Sequence, residues 1–199
     1  MSVSVPLDDV RAARLLGRMA RYLALFPREF EANKVSALNR TGTGVRTEAV
    51  KMLTQRYAAK QGDVKRKFTL TKASGGRPYV IVRGEGRPLH LGLWPQRPAR
   101  VYSTSRRRLK GVKVKILKGS GFTLVKGGFG GMSSKNNAYL VYEREGRQRL
   151  PVRVLYGPSM IGHLTRPGNV EFLQQYAEAR LTREIRQGAE FRLRILSAL

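Results

Sequence analysis

The stretch Val112-Lys113-Val114-Lys115-Ile116-Leu117-Lys118 alternates apolar and cationic residues with a period of two. Lys113 and Lys115 fall on one side, Val112, Val114 and Ile116 on the other, and Lys118 is one step out of phase. That spacing predicts a strand with one apolar face and one basic face. On its own, such a face is an ordinary solvated surface. Its neighbourhood changes the reading. From 60 to 119 the chain carries seventeen basic residues against two acidic ones (Asp63, Glu85), a surplus of fifteen. The densest clusters are Lys65-Arg66-Lys67 and Arg106-Arg107-Arg108 with Lys110.

Outward from this stretch, short runs broken by Gly and Pro extend from 68 to 156. Strands are expected at Phe68–Lys72, Tyr79–Arg83, Leu89–Leu93, Arg100–Thr104, Val112–Leu117, Phe122–Lys126, Ala138–Glu143 and Leu150–Leu155. Ser74-Gly75-Gly76, Gly84-Glu85-Gly86 and Glu145-Gly146 mark turns between them. Residues 104–109 and 126–137 are expected as exposed loops.

The flanks are helical. Leu7–Phe26 has Asp8 and Asp9 in its first turn, at the positive end of the helix dipole, and stops at Pro27. From Arg28 to about Lys60, Phe30, Leu38, Val45, Ala49, Leu53 and Tyr57 recur near multiples of 3.6. Gly42 and Gly44 weaken the centre of that helix, marking a kink or a close helix contact. Gly62 is expected as its stop, with Asp63 capping a following turn. A last helix runs from about Asn169 to Leu196 with a stripe of Val170, Leu173, Ala177, Leu181 and Ile185. Helices, then strands, then a helix predict an α+β fold with a central, mostly antiparallel sheet and extended loops. Three segments are expected within one compact domain: 1–62 helical, 63–165 basic and β-rich, 166–199 the C-terminal helix.

Composition narrows function. The 199 residues hold 39 Lys and Arg against 13 Asp and Glu, a net charge of +26. Such an excess calls for an anionic environment: nucleic acid, a membrane surface or acidic proteins. Cys is absent, which excludes disulfides, thiolate metal sites and a Cys nucleophile. No stretch approaches a membrane span, and residues 1–6 have no basic n-region for a signal peptide. Gly119–Gly131 holds six glycines, but neither Lys-Ser nor Lys-Thr follows at phosphate-loop spacing, so a hairpin tip is the reading. His90 and His163 lack neighbouring carboxylates, and the acid pairs Asp8/Asp9, Glu29/Glu31 and Glu143/Glu145 are local. No metal site, cofactor site or enzyme chemistry is expected from them. Aromatics interleave with basic residues at Tyr79, Tyr102, Phe122 and Tyr139, without any sequence-specific nucleic-acid module.

Several words then carry a likeness. They are Ala37-Leu38-Asn39-Arg40, Val64-Lys65-Arg66-Lys67-Phe68, Ile81-Val82-Arg83, the segment 89–92, the Arg106–Arg108 cluster, and Pro151-Val152-Arg153-Val154-Leu155-Tyr156-Gly157-Pro158-Ser159 before an Arg-rich helix. Over roughly residues 30–196 the sequence resembles the phage minor tail protein Z family, tail completion proteins of long-tailed bacteriophages. The resemblance implies a virion structural protein at the head–tail junction, in a ring of about six copies. It would complete the tail for head joining and affect how the genome end is held. Implied partners are the tail terminator, tail tube and head–tail connector proteins, with phage DNA nearby. No membrane, small-molecule substrate, cofactor or catalytic residue is implied. The location would be the virion neck, after assembly in the host cytoplasm.

In that setting Lys65, Arg66, Lys67, Arg106, Arg107, Arg108, Lys110, Lys113 and Lys115 are the expected contacts to an anionic partner or DNA. Tyr156, Gly157, Pro158 and Ser159 are expected to form the turn that docks the last helix. The competing class is a basic nucleic-acid-binding protein of the ribosomal or chromatin kind.

Overall fold

Pro27, which carries no amide hydrogen and has a fixed φ, is the first residue of the long helix α1, Pro27–Arg56. The computed structural model describes residues 27–97, 111–133 and 137–196, together with Gly17. The expected helix Leu7–Phe26 (Gly17 apart), the strand Arg100–Thr104 and the loop 104–109 lie outside the described residues. After α1 come the short α2 (Gln61–Lys65) and the strands β1 (Phe68–Thr71) and β2 (Ile81–Gly84), then a 3-10 turn at Leu91–Leu93. Strands β3 (Gln96–Arg97), β4 (Gly111–Val114), β5 (Thr123–Lys126), β6 (Phe129–Met132), β7 (Tyr139–Arg144) and β8 (Val152–Val154) follow. Two helices close the chain, α3 (Ile161–Leu164) and α4 (Asn169–Leu196). The fold is α+β, with helices towards both ends and antiparallel sheets between them.

The strands form three small sheets, β1–β2, β3–β4–β5 and β6–β7–β8. In the second, Val112 faces Val125, Lys113 faces both Arg97 and Leu124, and Val114 faces Gln96 and Thr123. In the third, Phe129 faces Tyr142, and Glu143 faces Arg153.

The chain divides into two compact units. One comprises 46–69 and 82–173. Its core joins Val50 and Leu53 of α1 and Val64 of α2 to Val112 and Val114 of β4, Val141 of β7, and Leu89, Leu91, Trp94, Met160 and Leu164. Each such fully buried side chain contributes about 1.5–3 kcal/mol. Tyr57 meets the Trp94 indole edge-on at 6.2 Å. Helix α1 ends at Arg56, well before Gly62, because its last carbonyls and the following amides find other partners: Lys118 N–H donates to the Arg56 carbonyl, and Ala58 N–H donates to that of Ile116. Gly62 lies inside α2 instead of ending α1, and Asp63 is a buried first-turn residue paired with Arg66.

The other unit comprises 1–45, 70–81 and 174–199. Glycines make room for neighbouring side chains in it. A Cβ at Gly42 would run into Val80, one at Gly44 into the Arg180 guanidinium, and one at Gly188 into the Asn33 amide. The close helix contact expected for the pair is found at Gly44, against Arg180 of α4, whereas Gly42 packs on Val80, which lies outside any helix. Asn33 donates to the Ile185 carbonyl at 3.1 Å. Asn39 makes two hydrogen bonds to Ala73, accepting from its amide at 2.8 Å and donating to its carbonyl at 3.1 Å.

Two local expectations fail. Leu89–Leu93 is not a strand: a pairing of His90 with Tyr156 is followed by the 3-10 turn, where Gly92 passes so close to the Tyr139 carbonyl that a Cβ would collide. Part of 126–137, expected as a loop, is the strand β6. Its Gly130 leaves room for the Tyr139 hydroxyl, and Gly131 for the Tyr142 ring.

Candidate anionic-partner interface

The alternation at 112–114 has the predicted sides. Val112 and Val114 are 1% exposed, while Lys113 faces solvent. Antiparallel register then places Arg97 directly opposite Lys113 on the outer face, where facing side chains start only about 5 Å apart. Arg97 spreads its guanidinium over the Phe122 ring at 4.5 Å. Lys126 is exposed at the end of β5, opposite Gly111, and Leu124 is 38% exposed between them. The strands β3, β4 and β5 contain no Asp or Glu, and neither does the connecting sequence 98–110. Lys115 is half-buried just beyond β4, its backbone amide donating to the Pro95 carbonyl. Arg106, Arg107, Arg108 and Lys110 lie outside the described residues.

The neighbouring sheet handles charge differently. Its one directly opposed charged pair is complementary, Arg153 donating to Glu143 at 2.6 and 3.0 Å, which raises the pKa of Arg153. Arg144 lies over the Phe129 ring at 5.4 Å, and that ring stacks on Tyr142. Two sheets of one unit thus differ in kind: one has its opposed charges matched, the other faces cation with cation.

The cluster Lys65-Arg66-Lys67 is elsewhere, at the end of α2. Lys65 and Arg66 are exposed, and Lys67 is half-buried with its ammonium 3.5 Å from Glu85. Arg66 and Lys67 line a cavity of about 290 Å³ together with Asp63, Arg87, His90, Tyr156 and the apolar Pro88, Leu89 and Leu93. The structure therefore brings Tyr156 to two members of the basic cluster in a cavity that Lys113 of the β3–β4–β5 face does not line. Burial lowers the pKa of His90; Lys67 adds to the drop and Asp63 opposes it. His90 Nδ1 is buried without a hydrogen-bond partner.

Tyr156 to Ser159 lie along the segment 86–94. Gly157 N–H donates to the Leu89 carbonyl at 2.8 Å, and a Cβ on Gly157 would press on the Trp94 indole. Ser159 Oγ donates to the Gly86 carbonyl at 2.7 Å. Tyr156 is 57% exposed. Sequence reasoning passed over Arg97, Lys126 and Arg87. Neither Arg97, in a strand of two residues, nor Arg87 carried a pattern in the sequence that could have found it. Among the described residues no group of His, Asp or Glu could hold a metal ion, and no helix is long and apolar enough to cross a membrane.

Among the described residues, the α+β fold thus presents one sheet face whose opposed charges are both cationic. The family described as prophage minor tail protein Z (GPZ) matches residues 21–198. The chain belongs to that family and is a structural protein of the phage tail, a virion component. No curated protein and no solved structure matches it.

Proposed function

We propose that this tail protein works at the head-proximal end, completing the tail so that it joins the head and the genome end is held. It does so as a ring of about six copies, since closed rings suit head-to-tail interfaces. Its partners there are the tail terminator, tube and connector proteins, with DNA passing nearby. The observation that carries this reading is the Arg97–Lys113 face: like charges opposed across a ladder destabilise the isolated protein, and an anionic surface set against them removes that cost. Lys113, Lys115, Lys126 and Arg97 form this contact, and Arg106, Arg107, Arg108 and Lys110 extend it in sequence. Lys65, Arg66 and Lys67 form a second basic area. The turn Tyr156-Gly157-Pro158-Ser159 supports the approach to the last helix.

At +26 per copy, a free ring repels itself, so assembly takes place on an existing tail or connector. Purified protein is expected to remain monomeric at low salt; stable hexamers there would contradict the assembly order. The direct test replaces Arg97, Lys113 and Arg106–Arg108 by Ser. Folded protein with reduced head–tail joining or DNA retention supports the reading, and unchanged infectivity overturns it. Fractionation separates the competing class, since a tail protein tracks with virions and a ribosomal or chromatin protein with those particles.

A further inference from the structure

We propose that the cavity beside α2 binds a short acidic peptide segment of a protein neighbour, seating a carboxylate on Arg87 and Lys67 and an apolar side chain on Leu89 and Leu93. This site is separate from the β3–β4–β5 face, and the inference does not rest on the role proposed for that face.

The cavity is two-sided. Pro88, Leu89 and Leu93 line it with apolar surface, Arg66, Lys67 and Arg87 with cations, and His90 and exposed Tyr156 with rings; the one lining carboxylate, Asp63, is buried and paired with Arg66. A volume of about 290 Å³ holds one or two side chains. The cations differ in availability. Arg66 is committed to the buried carboxylate of Asp63. Lys67 is held by exposed Glu85 only at 3.5 Å, a long pair that an incoming carboxylate can replace. Arg87 is exposed and has no acidic partner among the described residues. Arg87 is thus open to a ligand, and Lys67, half-buried, becomes so when Glu85 gives way, both beside apolar surface.

That combination favours peptide over nucleic acid. A duplex presents phosphates on a convex surface, with nothing apolar beside them to fill a concave floor. An acidic peptide offers both parts within adjacent residues, and its charge complements the chain's excess. Glu85 acts as an internal stand-in, occupying Lys67 until the segment arrives.

The test measures binding of a short acetylated peptide alternating aspartate and leucine to the full chain. An asparagine analogue and an equally charged analogue with glycine for leucine serve as controls. Both analogues are expected to bind about tenfold more weakly, and Arg87→Ala to weaken the parent peptide about tenfold. Glu85→Gln is expected to tighten it about threefold by freeing Lys67. Both side chains are exposed, so circular dichroism should match the unmodified protein. Lys113→Ser should leave peptide binding unchanged, which keeps this site distinct from the sheet face. Equal binding of the glycine analogue, or indifference to Arg87→Ala, overturns the proposal. So does a random duplex that displaces the peptide and is itself weakened by Arg87→Ala, since that assigns the cavity to phosphates.

Discussion

Arg97 on β3 and Lys113 on β4 stand directly opposite each other in an antiparallel ladder, both on the outer face of a sheet whose strands contain no carboxylate. One sheet away, Glu143 and Arg153 occupy the equivalent relationship with opposite signs and a 2.6 Å bond. The same unit therefore contains both solutions, and the unmatched one is where stability has been given up. Stacking of Arg97 on Phe122 holds the guanidinium over the ring instead of over Lys113, which limits the repulsion.

Lys113→Glu would make the two sheets alike. It is expected to raise unfolding free energy by about 0.5 kcal/mol, because opposite charges across a ladder attract. The same change should weaken binding to random duplex and flatten the dependence of log K on log salt by about 0.9 for each phosphate no longer neutralised. Denaturant titration and binding across a salt series read the two effects. A less stable variant, or an unchanged salt slope, would count against the face as a binding surface.

The parts of this fold that were legible in the sequence are those specified by local periodicity. Val112, Lys113 and Val114 alternate as a half-buried strand must, and α4 begins at Asn169, just after Gly168 with its φ of +85°. What was not legible depends on distant partners. Gly127–Gly131 looks like a loop because glycine disfavours strands, yet Gly130 and Gly131 of β6 leave the space that the Tyr139 and Tyr142 side chains of β7 occupy. Likewise the cavity joins Arg66, Arg87 and Tyr156, residues far apart in sequence with no shared periodicity. Arg97 carries no such signal, because a two-residue strand has no alternation to read.

Asn39 belongs to the Ala37-Leu38-Asn39-Arg40 word, and its neighbours explain the word physically. Ala37 is 1% exposed, Arg40 reaches Glu184 at 3.5 Å, and Asn39 holds both backbone groups of buried Ala73. Asn39→Ala would leave that amide and carbonyl unpaired, and is expected to cost about 1–3 kcal/mol. Asn39→Asp keeps the acceptor and loses the donor, so its cost should be smaller. Equal stability of the alanine variant and the parent in chemical denaturation would refute the clamp.

Gly42 and Gly44 separate helix propensity from packing. In an exposed helix, Gly→Ala stabilises by about 1 kcal/mol. At Gly42 the added methyl would meet the β-branched, stiff Val80 side chain as well as Leu70, so Gly42→Ala is expected to destabilise despite propensity. At Gly44 the nearest atoms are all in the far end of Arg180, which is bonded to Tyr176 and paired with Glu184 but can swing aside. Gly44→Ala is therefore expected to cost less than Gly42→Ala. Thermal midpoints in the reverse order would show that Val80 yields more readily than its packing implies.

His90 and His163 give the protein a pH dependence of defined sign. Burial lowers the pKa of each below the ordinary 6.5, with Lys67 adding to the effect at His90 against the pull of Asp63, and Arg56 and Arg166 adding to it at His163. Unfolded, both imidazoles take up protons at a pH where the folded protein still excludes them. Stability must then fall as pH drops through about 6.5 and level off only below the folded values. The denaturant midpoint is expected to be lower at about pH 5 than at about pH 7. Replacing both with Gln should shrink that difference. A double variant with the full original difference would show that neither imidazole is held neutral by the fold.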